Sequence, residues 1–155
     1  MPKIEKIFAR EILDSYGVPT ISTTVFLDND KYAFASVPFG VVVGKNEAHE
    51  LRDRDNNRYK GMGVLKAVDN VNTKINSLLR NFNIDDPIEL DKKMIEFDGT
   101  ENKENLGANT ILSVSTALHK LCAISENKQL YNFINSYYNF SNKVSMPTPI
   151  ISVIN

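Results

Sequence analysis

The sequence has no long apolar run, one cysteine and almost no net charge, and each shortage excludes something. No segment approaches the ~18 consecutive apolar residues that a membrane-spanning helix needs, so no membrane partner is expected. A net charge of −1 leaves no electrostatic footprint for nucleic acid or an acidic lipid surface. The lone cysteine, Cys122, has no second thiol to pair with and reads as a buried structural side chain in a helical pattern. The opening MPKIEKIFAREI carries no apolar core of a secretory signal. No internal repeat or low-complexity stretch is visible. Together these features predict a cytoplasmic protein.

What is present is ordinary globular material. The 155 residues are 42% apolar and 24% charged, enough for one domain with a real core. The first forty residues favour strands. In TISTTVFL (20–27), Ile21, Thr23, Val25 and Leu27 alternate with Ser22, Thr24 and Phe26. Asp28-Asn29-Asp30 is a turn signal, KYAFASV follows as a second strand, and 3–12 is a plausible first one. The period then changes. Val64, Val68, Val71, Ile75 and Leu78 fall in steps of four, three, four and three, one helical stripe over 63–80. Asp86, Pro87 and Glu89 form a capping-box start for a second helix. A third helix is predicted over 107–126 with Ile111, Val114, Leu118 and Leu121 in phase, and a shorter one over 130–138. VSMPTPIISVIN reads as an extended segment and then a strand without a partner, which normally belongs to something larger. The class is α+β: a three-stranded antiparallel meander followed by a helical subdomain.

Candidate chemistry is sparse. GVVVGKN invites comparison with a phosphate-binding loop, but Phe39 stands where a glycine is needed and Asn46 where a magnesium-binding hydroxyl is needed. The remaining reading is a tight loop between strand and helix, with glycines serving backbone geometry. Glu47, Glu50 and Asp53 could be metal ligands, but Arg52 and Arg54 lie among them. A solvated face with a helical Glu50–Arg54 pair is the expectation. His49 and His119 read as structural or solvent-facing. No nucleophile–histidine–acid order has support. Residues alone stop at an α+β domain.

Several stretches together resemble the N-terminal domain of enolase. AREILDSYGVPT (9–20) is similar to the family's A-R-x-I-x-D-S-R-G-N-P-T. GKNEAHELRD (44–53) is similar to G-x-H-E-A-x-E-x-R-D, and GMGVLKAVDNVN (61–72) to G-K-G-V-x-x-A-V-x-N-V-N. FDGTENKENLGANTILSVS (97–115) resembles D-G-T-x-N-K-x-x-L-G-A-N-A-I-L-x-V-S. LYNFI (130–134) and PTPIISVIN (147–155) match the approach to the family's barrel. The resemblance implies an enolase-like N-terminal domain over 1–146 and a tail, 147–155, leading to a barrel. In the family the barrel carries three magnesium-ligating carboxylates, the catalytic lysine and the acid/base glutamates. None of those positions lies in these residues, so no catalytic, cofactor or metal residue is assigned here, and magnesium belongs to the family rather than to this chain alone.

The family's N-terminal domain contributes a mobile lid, P-S-G-A-S-T-G, whose second serine ligates a second magnesium. The corresponding stretch is Phe39, Gly40, Val41, Val42, Val43 and Gly44, followed by Asn46 and Glu47. The metal-binding serine falls at Val42, which has no side-chain oxygen, and the loop histidine at Asn46. Tyr16, Val18 and Ser152 replace an arginine and two asparagines, while Asp14, Ser15, Gly17, Glu47, Glu50, Arg52, Asp53, Gly107 and Asn109 match. Arg10 matches a dimer-contact arginine, but Ser22 stands where its acidic neighbour is expected, so the oligomeric state stays open. Three readings are consistent with these matches. The chain is an enolase-like domain, inactive alone, that binds a protein partner such as an enolase or a barrel domain. Or it is the N-terminal fragment of a divergent enolase, converting 2-phosphoglycerate to phosphoenolpyruvate in glycolysis. Or it is an unrelated enzyme on the same domain.

Overall fold

A computed structural model describes residues 2–38, 40, 44–140 and 144–151. Strands β1 (Ile4–Leu13), β2 (Pro19–Leu27) and β3 (Tyr32–Ser36) form an antiparallel sheet in the order β1-β2-β3, so the predicted meander is present. The first turn is closed by Asp14, whose carboxylate accepts from the N–H groups of Tyr16 (2.8 Å) and Val18 (2.9 Å). Gly17 takes φ +72°, a left-handed value that favours glycine there. In β2 the predicted alternation holds: Ile21, Thr23, Val25 and Leu27 are fully buried. With Ile7, Ala9, Ala33 and Ala35 they make the inner face of the sheet.

The helices cover that inner face only. α4 (Ala108–Ser125) lies against β2 and β3, and the Thr23 and Ser113 hydroxyls meet across the contact at 2.7 Å. On the other sheet face Phe8, Tyr32 and Phe34 are exposed.

The predicted helix over 63–80 is a continuous run made of α1 (Leu65–Asn70), a π-helical turn (Val71–Ile75) and α2 (Asn76–Leu79). The wider turn shifts the phase of the residues beyond it. The buried stripe is therefore Val64, Ala67, Val71, Ile75 and Leu79, with Val68 and Leu78 only half-buried, a correction to the simple 3.6-residue reading. The run carries two asparagines to the outer edge of β1. Asn76 accepts from the Ile7 N–H (2.8 Å), and Asn72 bonds both the N–H (2.7 Å) and the C=O (3.1 Å) of Ala9. That edge is closed by side chains.

α3 (Pro87–Asp98) starts as predicted, with the Asp86 carboxylate accepting from the Glu89 N–H at 3.0 Å. Glu89 turns instead to Lys93 one turn along, so only the Asp86 half of the capping box forms. α3 ends at Gly99, φ +70°, in a left-handed cap. α5 (Leu130–Tyr138) anchors through buried Phe133. Residues 144–151 form no strand, and Met146 and Ile150 are 93% and 100% exposed. The strand expected in the tail is thus not seen in its described part; residues 152–155 lie outside the described set.

Candidate functional site

Four segments are fastened together: the β1 and β2 strands at Glu11 and Pro19, the irregular stretch 44–64, the loop 99–107 and the start of α4. Asn109 is the central fastener. Its carboxamide oxygen accepts from the Leu51 N–H and its NH₂ donates to the Leu51 C=O, both at 3.1 Å. On either side, the His49 N–H donates to Asn102 C=O and the Ala108 N–H to His49 C=O, each at 2.7 Å. Gly107, φ +93°, allows the close approach: a Cβ there would lie 2.5 Å from Leu51 Cβ.

Glu50, Arg52, Asp53 and Arg58 also turn inward, whereas Arg54 and Asp55 are exposed. The Arg52 guanidinium donates to the Pro19 (2.6 Å) and Met62 (2.7 Å) carbonyls and pairs with Glu50 at 2.5 Å. Asp53 accepts from the Leu65 and Lys66 N–H groups, both at 2.9 Å, and so caps α1. Arg58 meets Glu11 with both guanidinium nitrogens, one of them at 2.9 Å, and the same carboxylate accepts from the Val64 N–H at 2.8 Å. The Arg58 hydrogen bond holds the Glu11 carboxyl below the usual carboxylate range. Burial pushes Glu50 up, against the pull of Arg52. Asp98 is buried, which would raise it, but the Thr100 hydroxyl and the Leu106 and Thr100 N–H groups bring it below its ordinary value.

The predictions for this region divide. Segment 47–54 is not helical, so the expected Glu50–Arg54 pair is replaced by Glu50–Arg52, and Glu50 and Asp53 are half-buried tethers rather than a solvated face. Asn46 and Glu47 are exposed beside Lys45 on one wall of a cleft of about 610 Å³, opposite Glu101, Asn102 and Lys103. Phe39, Val41, Val42 and Val43 lie outside the described residues. Gly40 and Gly44 are described, and neither takes a left-handed φ. A Cβ on Gly40 would meet nothing within 4 Å, so backbone geometry does not explain it; Gly44 would meet only the flexible Glu47 side chain. Gly44 also leads into irregular chain rather than into a helix. Tyr16 stands 80% exposed at the tip of its turn.

His119 is structural. A carbonyl can only accept, so Nδ1–H donates to Ser115 C=O (2.9 Å), and in the neutral ring Nε2 accepts from Tyr138 O–H (2.8 Å). Cys122 is buried as expected, its thiol pushed up to about 12 chiefly by burial. Sequence reasoning missed Glu11, Arg58 and the asparagine tethers. Their partners are 47 to 69 residues away, and no local pattern marks such pairs.

Magnesium requires hard oxygen donors. Among the described residues no three Asp, Glu, His or Cys side chains converge to hold an ion. Val42, where the resemblance places the family's lid donor, has a hydrocarbon side chain. The donor set does not fit the ion.

Comparison with known proteins agrees with this geometry. The family model described as "Enolase, N-terminal domain" matches residues 4–134. The chain is 52% identical over 153 residues to an enolase of Methanosarcina acetivorans, covering 99% of this chain and 34% of that protein. It is 51% identical over 153 residues to an enolase of Methanosarcina mazei, covering 99% of this chain and 35% of that protein. The chain thus spans about a third of the length of these curated relatives.

Proposed function

This chain belongs to the enolase N-terminal domain family, and from that premise we propose that it is a docking domain for an enolase-type barrel, without catalytic activity of its own. The observation that carries the reading is the exposed tail. Residues 144–151 present Val144, Met146, Ile150 and Ile151 to solvent without regular structure. Four exposed apolar side chains within eight residues support a contact with another body. The rim residues that match the family support the same reading. Arg52, Asp53, Gly107 and Asn109 all hold the domain together, while of the replaced positions described Tyr16 and Asn46 are exposed, Val18 is half-buried and Ser22 is buried.

A second reading is favoured by the identity over 153 residues to two enolases. In it the chain is the N-terminal part of a divergent enolase acting on 2-phosphoglycerate in the cytoplasm, with barrel and domain in one polypeptide. Whether the coding sequence continues past Asn155 into a barrel separates the two. The docking reading is tested by mixing the full chain with the separately produced barrel portion of the M. acetivorans enolase in a sedimentation experiment. A shared boundary is expected. Independent sedimentation at every concentration would sink it.

A further inference from the structure

The two edges of the sheet are treated differently. Asn72 and Asn76 close the edge of β1, while among the described residues the β3 edge is met by a side chain at one point, the Phe34 C=O, which accepts from Lys120. Its register fixes which groups are free. Lys31 pairs with Leu27 and Val37 with Ile21 through backbone bonds, and in an antiparallel ladder such pairs alternate with non-bonded ones. The N–H and C=O groups of Tyr32, Phe34 and Ser36 therefore point away from β2. Beside them runs a groove of about 520 Å³ between β3, the end of α4 and the start of α5. Its floor is apolar, formed by Ala33, Ala123, Ile124 and Leu130, with Phe34 (61% exposed) on the wall. Among the described residues the charged side chains lining it are Lys120 and Lys128, and no carboxylate lines it.

We propose that this groove and the β3 edge bind an extended, acidic segment of a partner protein, which adds as a fourth strand. Free edge groups supply main-chain pairing, and the groove takes alternate apolar side chains. The lysines set the sign of charge. Lys120 already reaches the edge, its ammonium donating to the Phe34 C=O at 3.2 Å. An ammonium has three donors, so it can also hold a carboxylate from the incoming strand. Lys128 is paired with Glu126 at 2.7 Å, which leaves Lys120 as the main selector. A basic or uncharged strand would meet Lys120 with nothing to neutralise it, so a second copy's uncharged tail is not the occupant. The inference concerns a different face from the tail and does not rest on the docking reading.

The test is a titration of the ¹⁵N-labelled full chain with the blocked peptide acetyl-EVDIEVD-amide and, separately, acetyl-KVRIKVR-amide. Saturable amide shifts confined to β3 and the end of α4 are expected for the acidic peptide, with at least tenfold weaker binding of the basic one. Lys120→Glu should weaken the acidic peptide about tenfold, while Lys74→Glu, on the helical run, should not. No saturable shift, equal binding of both peptides, or equal effects of the two variants overturns the proposal. So do β3 shifts that grow with protein concentration alone, since they identify a second copy as the occupant.

Discussion

Asn109 holds Leu51 by both its backbone polar groups, two bonds of 3.1 Å spanning 58 residues of sequence. The carboxamide thus substitutes for a strand partner along a stretch of chain that has none. Replacing it leaves a half-buried N–H and C=O unpaired. Asn109→Ala should lower stability by about 2 kcal/mol. Chemical denaturation should show this as a lower midpoint with an unchanged slope.

The glycines give a paired prediction. Gly107→Ala sets a Cβ 2.5 Å from Leu51 and forces a left-handed φ on a residue that resists it. A loss of about 2–3 kcal/mol is expected, on the scale of overpacking combined with backbone strain. Gly40→Ala meets open space without such a φ, and should stay within about 0.5 kcal/mol of the parent. Thermal melts of the two variants, side by side, check both.

These two positions also show how far the sequence could be read. The periods of two and 3.6 located the strands and helices because each element has one buried face. Where the ladder widens at Val71–Ile75, the simple period put Leu78 inward, but Leu79 is the buried residue. The matched Gly107 and Asn109 were visible as motif letters. Their work was not, since it depends on Leu51, which only the folded chain brings near. Glu50 pairs with Arg52 rather than Arg54 for the same reason: carbonyls from Pro19 and Met62 fix the guanidinium before any local helical spacing can.

Acid should loosen the Glu11 tether. Its folded-state carboxyl lies below the ordinary value of about 4.3, so its stabilisation is present above that pH and is lost as pH falls through the depressed value. Glu11→Gln should therefore be less stable than the parent at pH 7, and the gap should close in strong acid. Melting temperatures across a pH series would contradict this if the gap were constant.

Asp91 behaves in the opposite sense. Burial raises its carboxyl, and its Oδ1 is buried with no hydrogen-bond partner among the described residues, while Oδ2 accepts from the Ser115 hydroxyl at 2.9 Å. The protonated form is favoured by the fold, so that contribution is complete below about pH 3.9 and is lost as pH rises through the raised value. Asp91→Asn should melt higher than the parent at pH 7, with the advantage gone in acid. An unchanged or lower melting point at pH 7 would count against a costly buried charge.

We propose that this domain supplies scaffold and contact surface, with Val42 standing where the resemblance places the lid's metal donor. Oriented groups and a bound metal supply much of the rate in metal-assisted chemistry, and the donor set here does not fit magnesium. The direct test is a coupled assay for phosphoenolpyruvate formation from 2-phosphoglycerate with magnesium, run on the purified chain. No turnover is expected, for Val42→Ser as for the parent, because one restored hydroxyl cannot replace a barrel. Turnover that scales with the concentration of this chain alone would contradict the account.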